Sequence, residues 1–339
     1  MITTITLVPL AVAPLAYGYL LQAIPARNIL VASVLLLGLN QIAFFWVTEY
    51  WQFLTLRFLQ GLLLPAVFTS LMTYTANVSA TDRIKQAMGF YVAVTIVGGC
   101  LSRIAGGYIA AIVGWQWVFV ALGGLLLLLV PLVWSMAADA KVDFTRLDIR
   151  AMQRVWQSPL LKRCYLTLFL VFFVFAGVLN MLPFRVQAIY PEIGSGTLSI
   201  LYFGYLVGIP AALLTTRIAE VLGGETKSII LAILTIIFGL LLFLSEHYGI
   251  LLGMMFLLAG AMFYIHSSLS GLVNHHATEH KGIVNGLYVA IYYFSGALGS
   301  WMPALVFSHW PWWWIILLGQ SILVLALIVI FHFRPIHSP

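Results

Sequence analysis

Charge is what this sequence has least of: Asp, Glu, Lys and Arg make up 8% of its 339 residues, against 63% apolar residues, and the mean hydropathy is +1.05. A water-facing globule of this length needs a polar coat that such a composition cannot supply. Cysteine is nearly missing too. Cys100 and Cys164 give neither a disulfide framework nor a metal-ligand spacing, and both read as inert thiols. No Gly-x-x-x-x-Gly-Lys-Ser/Thr phosphate loop and no Gly-x-Ser-x-Gly elbow occurs. Direct ATP drive and enzyme chemistry are therefore not expected, and no cofactor is implied. The net charge of +6 is scattered and forms no basic stripe, which argues against nucleic acid as a partner. Long apolar runs at 29–47 and 229–244 lack the alternation of barrel strands, so a β-barrel is rejected.

What is there is a succession of apolar stretches of about 20 residues, the length a helix needs to cross the hydrocarbon core. Backbone amides in lipid must bond to one another, which bundled helices achieve. The pattern predicts an all-α polytopic membrane bundle with spans at 2–22, 28–48, 51–77, 86–112, 115–136, 162–185, 196–218, 228–245, 249–273, 283–307 and 311–333. The first lacks the basic start of a cleaved signal peptide and counts as a true span. Lys and Arg are retained on the cytoplasmic face during insertion. One set of alternate loops holds Arg27, Arg83, Lys85, the 141–163 basic residues, Arg217, Lys227, Lys281 and Arg334, while the other holds only Arg185. The C-terminus is thus expected in the cytoplasm, with residue 1 on the opposite face.

An internal repeat sets the expected architecture. Gly89-Phe90-Tyr91-Val92-Ala93-Val94 recurs as Gly286-Leu287-Tyr288-Val289-Ala290-Ile291, an offset of 286 − 89 = 197. The same offset aligns the loop at 22–27 with the loop at 220–224. Two parallel-repeat halves follow: 1–136 with five helices and 162–339 with six, joined by a cytoplasmic linker at 137–161 with four basic and three acidic residues. Because the offset carries the sixth span to a position before Met1, the repeat predicts a twelfth helix upstream of the sequence.

Three stretches, Gly18 to Arg27, Arg57-Phe58-Leu59-Gln60-Gly61 and Gly98 to Gly107, resemble patterns of the major facilitator superfamily, in particular its bacterial drug-exporter-like twelve-helix branch, and the resemblance covers essentially the whole chain. The stretch Gly18 to Arg27 is similar to the family's loop of glycines, an acid and basic residues, with Gln22 where the acid stands and Pro25 where the second glycine stands. Its second-half copy, Arg217 to Gly223, keeps an acid at Glu220. The resemblance implies gating loops at Gly18, Gln22 and Arg27 and at Arg217, Glu220 and Gly223. Arg57-Phe58-Leu59-Gln60-Gly61 is similar to the family's helix-four signature. Arg57, Gln60 and Gly61 share one helix face. A cation within a span costs about 2.5–3.5 kcal/mol on insertion scales, so Arg57 is expected to face a partner or a wet cavity; snorkelling or packing is the alternative. Gly98 to Gly107 resembles the exporters' glycine-rich motif, which implies close packing between halves, with Ser102-Arg103 replacing the usual glycine-proline.

Asn180, His266 and Asn274 fall on spans that the resemblance assigns to the cavity lining, and with Arg103 they complete the substrate and coupling candidates. His275, His276, Glu279 and His280 read as a wet loop rather than a metal cluster, so no metal site is expected. Trp310, Trp312, Trp313 and Trp314 read as an interfacial belt. All ten acids lie in loops or at helix ends, which suits an amphipathic or anionic solute better than a cation. The expected function is secondary transport of a small organic solute by a monomer in the bacterial inner membrane, with the lipid bilayer and a proton gradient as partners. Proton-coupled efflux comes first, organic-anion uptake second, and a non-transporting scaffold stands as the different class.

Overall fold

The structure, a computed structural model, describes residues 2–137, 149–193, 195–277, 280–307 and 310–331. Among these every regular element is helical: α1 (Ile2–Leu20), α2 (Ala26–Ala43), α3 (Tyr50–Val78), α4 (Ile84–Val113), α5 (Trp115–Ser135), α6 (Ile149–Gln157), α7 (Pro159–Ile189), α8 (Ser195–Ile200), α9 (Gly208–Leu213), α10 (Thr215–Val221), α11 (Glu225–Leu242), α12 (Tyr248–His276), α13 (Lys281–Phe307) and α14 (Trp312–Phe331). Short 3-10 stretches cover Phe44–Trp46, Thr81–Arg83 and Leu201–Val207. Among the described residues, nine helices are long and apolar enough to cross a membrane. The chain is a multi-pass membrane protein.

One segment departs from the expectation of uniform spans. The seventh is broken: Leu201–Leu213 and Thr215–Val221 meet at a 68° bend and make one further span only if counted together. Gly204, Gly208 and Pro210 are poor helix formers, and a bend in lipid frees carbonyls that need partners. Thr215 supplies one: its Oγ1 donates to the carbonyl of Ala212 at 2.6 Å. The first helix, α1, runs from Ile2 to Leu20. In addition α7 runs on to Ile189, so Arg185 is helical rather than in a loop, with its guanidinium 3.7 Å from the Glu246 carboxylate.

The chain forms two compact units. The first comprises residues 1–84, 101–157 and 274–294; in it α1 packs on α3, and α2 packs on α3 and α5, around Leu21, Ala26, Ile29, Ala66 and Tyr74. The second comprises residues 85–100, 158–273 and 295–339, and its α14 packs on α7 and α11. The start of α4 therefore belongs to the second unit and the start of α13 to the first. Trp312 is buried and donates its indole N–H to the Phe243 carbonyl at 2.8 Å, whereas Trp310, Trp313 and Trp314 stay exposed as interfacial residues do.

Candidate functional site

In the first unit Arg57 sits about two turns into α3, where the chain has just turned from α2 through the aromatic stretch Phe44–Trp46. Its guanidinium carbon lies 5.6, 5.2 and 5.1 Å from the ring centroids of Phe44, Phe53 and Phe119, and Nη1 donates to Gln60 Oε1 at 3.0 Å. Phe44 stacks on Phe119 at 4.2 Å and meets Phe53 edge-on, so the 3-10 stretch after α2, α3 and α5 together build the cage. A guanidinium is weakly hydrated and attracted to the negative faces of rings, which is how a cation is held here by aromatic rings. Gly61, on the same face, lets α1 approach: a Cβ there would lie 2.5 Å from the Thr6 carbonyl oxygen. The structure thus brings together Arg57, Gln60 and Gly61. Sequence reasoning misses the three rings around the guanidinium; Phe53 and Phe58 flank Arg57 in the chain, but Phe44 and Phe119 are distant and carry no local signal.

In the second unit Asn180 Nδ2 donates to the Ala176 carbonyl at 2.7 Å and to Ser300 Oγ at 2.9 Å, joining α7 to α13. Phe175, Tyr205 and Phe263 form an aromatic cluster with centroids 5.3 to 5.9 Å apart. His266 follows Phe263 by three residues on α12 and is buried, as are Ser267 and Ser270; Ser267 Oγ lies 2.9 Å from Thr215 Oγ1. Asn274, at the far end of α12, is fully buried and belongs to the first unit. The backbone of Arg103 lies in α4, and its side chain is outside the described residues. A Cβ added at Gly98 would meet no atom of the second unit within 4 Å.

The loops divide in the same way. Gly18 is packed against α13, Arg27 Nη1 donates to the Met136 carbonyl at 3.0 Å, and Gln22 Nε2 is buried without a protein partner. Arg217 and Glu220 are exposed, and Gly223 takes a φ of +79° that a side chain would resist. The acid that meets a basic partner across the sequence halves is instead Glu225, whose Oε1 lies 2.6 Å from Lys85 Nζ. Glu279 lies outside the described residues, and among those described no group of His, Cys, Asp or Glu is arranged to hold a metal ion.

A multi-pass helical bundle that holds a cation, Arg57, and buried polar groups inside its spans marks those residues as candidates for function. The chain belongs to the Major Facilitator Superfamily, a family of transporters whose profile matches residues 1–300. It is 23% identical over 218 residues to the inner membrane transport protein YnfM of Escherichia coli, a match covering 61% of this chain and 52% of that protein. It thus spans about half the length of that relative. It is 21% identical over 285 residues to an uncharacterized transporter of Buchnera aphidicola, covering 81% of this chain and 68% of the other. Its fold is similar to the human organic anion transporter MFSD10, with a TM-score of 0.84 at 16% identity over 97% of this chain and 82% of that one. It is also similar to the proton:xylose symporter XylE, with a TM-score of 0.76 at 15% identity over 98% and 85%.

Proposed function

We propose that the protein is a secondary active transporter that moves a small organic solute by alternating access between two sequence halves, 1–136 and 162–339, joined by the 137–161 linker. Proton-coupled efflux, of the kind run by the drug-exporter-like branch, is the first reading. The observation that carries it is the presence of a membrane-embedded cation, Arg57, and of a buried titratable residue, His266, in spans that hold no carboxylate among the ten acids of the sequence. Arg57, Gln60, Gly61, Arg103, Asn180, His266 and Asn274 remain the substrate and coupling candidates. Organic-anion uptake is the second reading, favoured by the same lack of acids and by the likeness to an organic anion transporter.

In proteoliposomes carrying an imposed pH gradient, added substrate is expected to collapse the gradient, with a panel of lipophilic organic anions acting more strongly than cations of similar size. The direction of proton movement relative to solute separates efflux from uptake. A protein that moves neither protons nor any solute of the panel would return the scaffold reading.

The orientation has its own test. Both native thiols are buried, so the background labelling is low. A cysteine at exposed Gln153 in the linker should be shielded from impermeant thiol reagents in intact cells, whereas one at exposed Glu192 should react. The reverse pattern would overturn a cytoplasmic C-terminus in the inner membrane.

A further inference from the structure

The break in the seventh span gathers oxygen atoms. Between Leu213 and Thr215 the helix turns by 68°, and a turn of this kind inside a membrane frees carbonyls from their helical amides. Thr215 Oγ1 lies 2.6 Å from the Ala212 carbonyl oxygen and 3.2 Å from that of Ala211. From α12, Ser267 Oγ lies 2.9 Å from Thr215 Oγ1 and 3.1 Å from the Ala212 oxygen. Ala212, Thr215 and Ser267 are all buried. Ser267 stands 276 − 267 = 9 residues before the end of α12 at His276, so the cluster lies about 14 Å inside that helix.

These four oxygens share too few protons. A hydroxyl donates one hydrogen bond, so Thr215 and Ser267 can fill two of the four short O···O contacts and leave the other two with no proton between the oxygens. Lone pairs facing each other at this range repel, and a buried site has little water to relieve them. A small cation does relieve them. Ions of the radius shared by Na+ and Ca2+ take oxygens at about 2.3–2.6 Å, which sets neighbouring ligands about 3 Å apart, close to the spacing here. The four ligands include no carboxylate, and neutral oxygens do not offset a buried double charge. That selects the monovalent ion. Carbonyls released where a membrane helix unwinds are donors suited to Na+.

The seat is built to hold its shape. Before the bend the span packs on α12 through glycines: a Cβ on Gly204 would lie 2.7 Å from the Met255 carbonyl carbon, and one on Gly208 would run into the Phe263 ring. On another side α4 closes in at Gly89, where a Cβ would lie 2.6 Å from the Ala212 oxygen and 3.3 Å from Ser267 Oγ. Glycine there brings a backbone against the cluster and keeps a side chain out of it. Oxygens fixed in this way cost little to arrange around an ion.

We propose that the Ala211 and Ala212 carbonyls, Thr215 Oγ1 and Ser267 Oγ form a Na+ site that pins the two pieces of the seventh span to each other and to α12. The site stands apart from the transport reading, because binding is measured with neither solute nor pH gradient.

In detergent, with ionic strength held constant by choline, rising sodium should lift the thermal midpoint of the parent by at least about 3 °C and then saturate, whereas potassium should not. Thr215→Val and Ser267→Ala each remove one ligand with little change of volume and should lose the sodium shift. Thr215→Ser keeps the ligand, and Ser270→Ala alters a hydroxyl that donates to the Ser267 carbonyl at 2.9 Å, outside the four oxygens; both should retain the shift. Equilibrium dialysis of the parent against radioactive sodium, which depends on no variant folding, should find one ion per chain. An equal shift with potassium, a sodium shift kept in both ligand variants, or no retained sodium would overturn the site. Sodium binding by a protein that moves no solute would leave the site standing and sink the transport reading alone.

Discussion

Arg57→Ala is expected to insert into the membrane, lose stability and transport at no more than about a tenth of the parent rate, a loss of about 1.4 kcal/mol at the barrier. The stability part follows from the cage. A desolvated guanidinium over aromatic faces contributes about 0.5–2 kcal/mol, and truncation to alanine also leaves the space between Phe44, Phe53 and Phe119 unfilled. The transport part follows from the charge, since Arg57 holds its proton near neutral pH and can act only by attracting an anion or by biasing a neighbour. Two further variants separate these parts. Arg57→Met fills the cage without charge, so the thermal midpoint in detergent should fall less than in Arg57→Ala while transport falls as far. Arg57→Lys keeps the charge but lacks the planar fork that reaches Gln60 while lying on the rings, so transport should be intermediate. Parent-like transport by Arg57→Met would show that the residue only packs.

The helices themselves are legible because lipid imposes one rule, that each crossing backbone bonds internally, and the rule writes itself as uninterrupted apolar length. The proposed repeat rests on a six-residue match. Which face of each helix turns inward is not legible. In water the inward face is the apolar one, but in lipid both faces are apolar, so periodicity carries little about rotation. Arg57 shows the consequence: its place on α3 is readable, while two of the three rings around it come from the ends of other helices. Lys85 and Lys281 show another. As charges at loop edges they report topology, and that reading hides their second use, bonding to a helix end and to Glu225. Glu220 and Gln22 draw attention because the family pattern points at them, whereas Glu225, five residues on, is the acid that carries the contact. The break at Leu214 escapes a reading of the sequence because Gly204, Gly208 and Pro210 are each tolerated in membrane helices singly, and their joint effect depends on Thr215 taking up the freed carbonyl.

Gly61→Ala and Gly98→Ala, the same change at two motif glycines, should shift stability in opposite directions. Alanine in a helix gains about 1 kcal/mol over glycine from propensity alone, and at Gly98 nothing stands within 4 Å of the new methyl group, so that gain should be realised as a higher thermal midpoint. At Gly61 the methyl group would lie 2.5 Å from the Thr6 carbonyl oxygen and 2.6 Å from Pro9 Cγ. The Thr6 oxygen belongs to backbone and cannot swing aside as a flexible side chain does. α1 must therefore move away from α3, and overpacking of this kind costs about 1–3 kcal/mol, more than the propensity gain. Gly61→Leu should go further and abolish a monodisperse detergent-solubilised protein, because the extra atoms fall where two helices already touch. Thermal melts followed by size-exclusion recovery would check all three variants. Equal shifts for the two alanine variants would mean that α1 and α3 do not pack as closely at Gly61 as the structure places them.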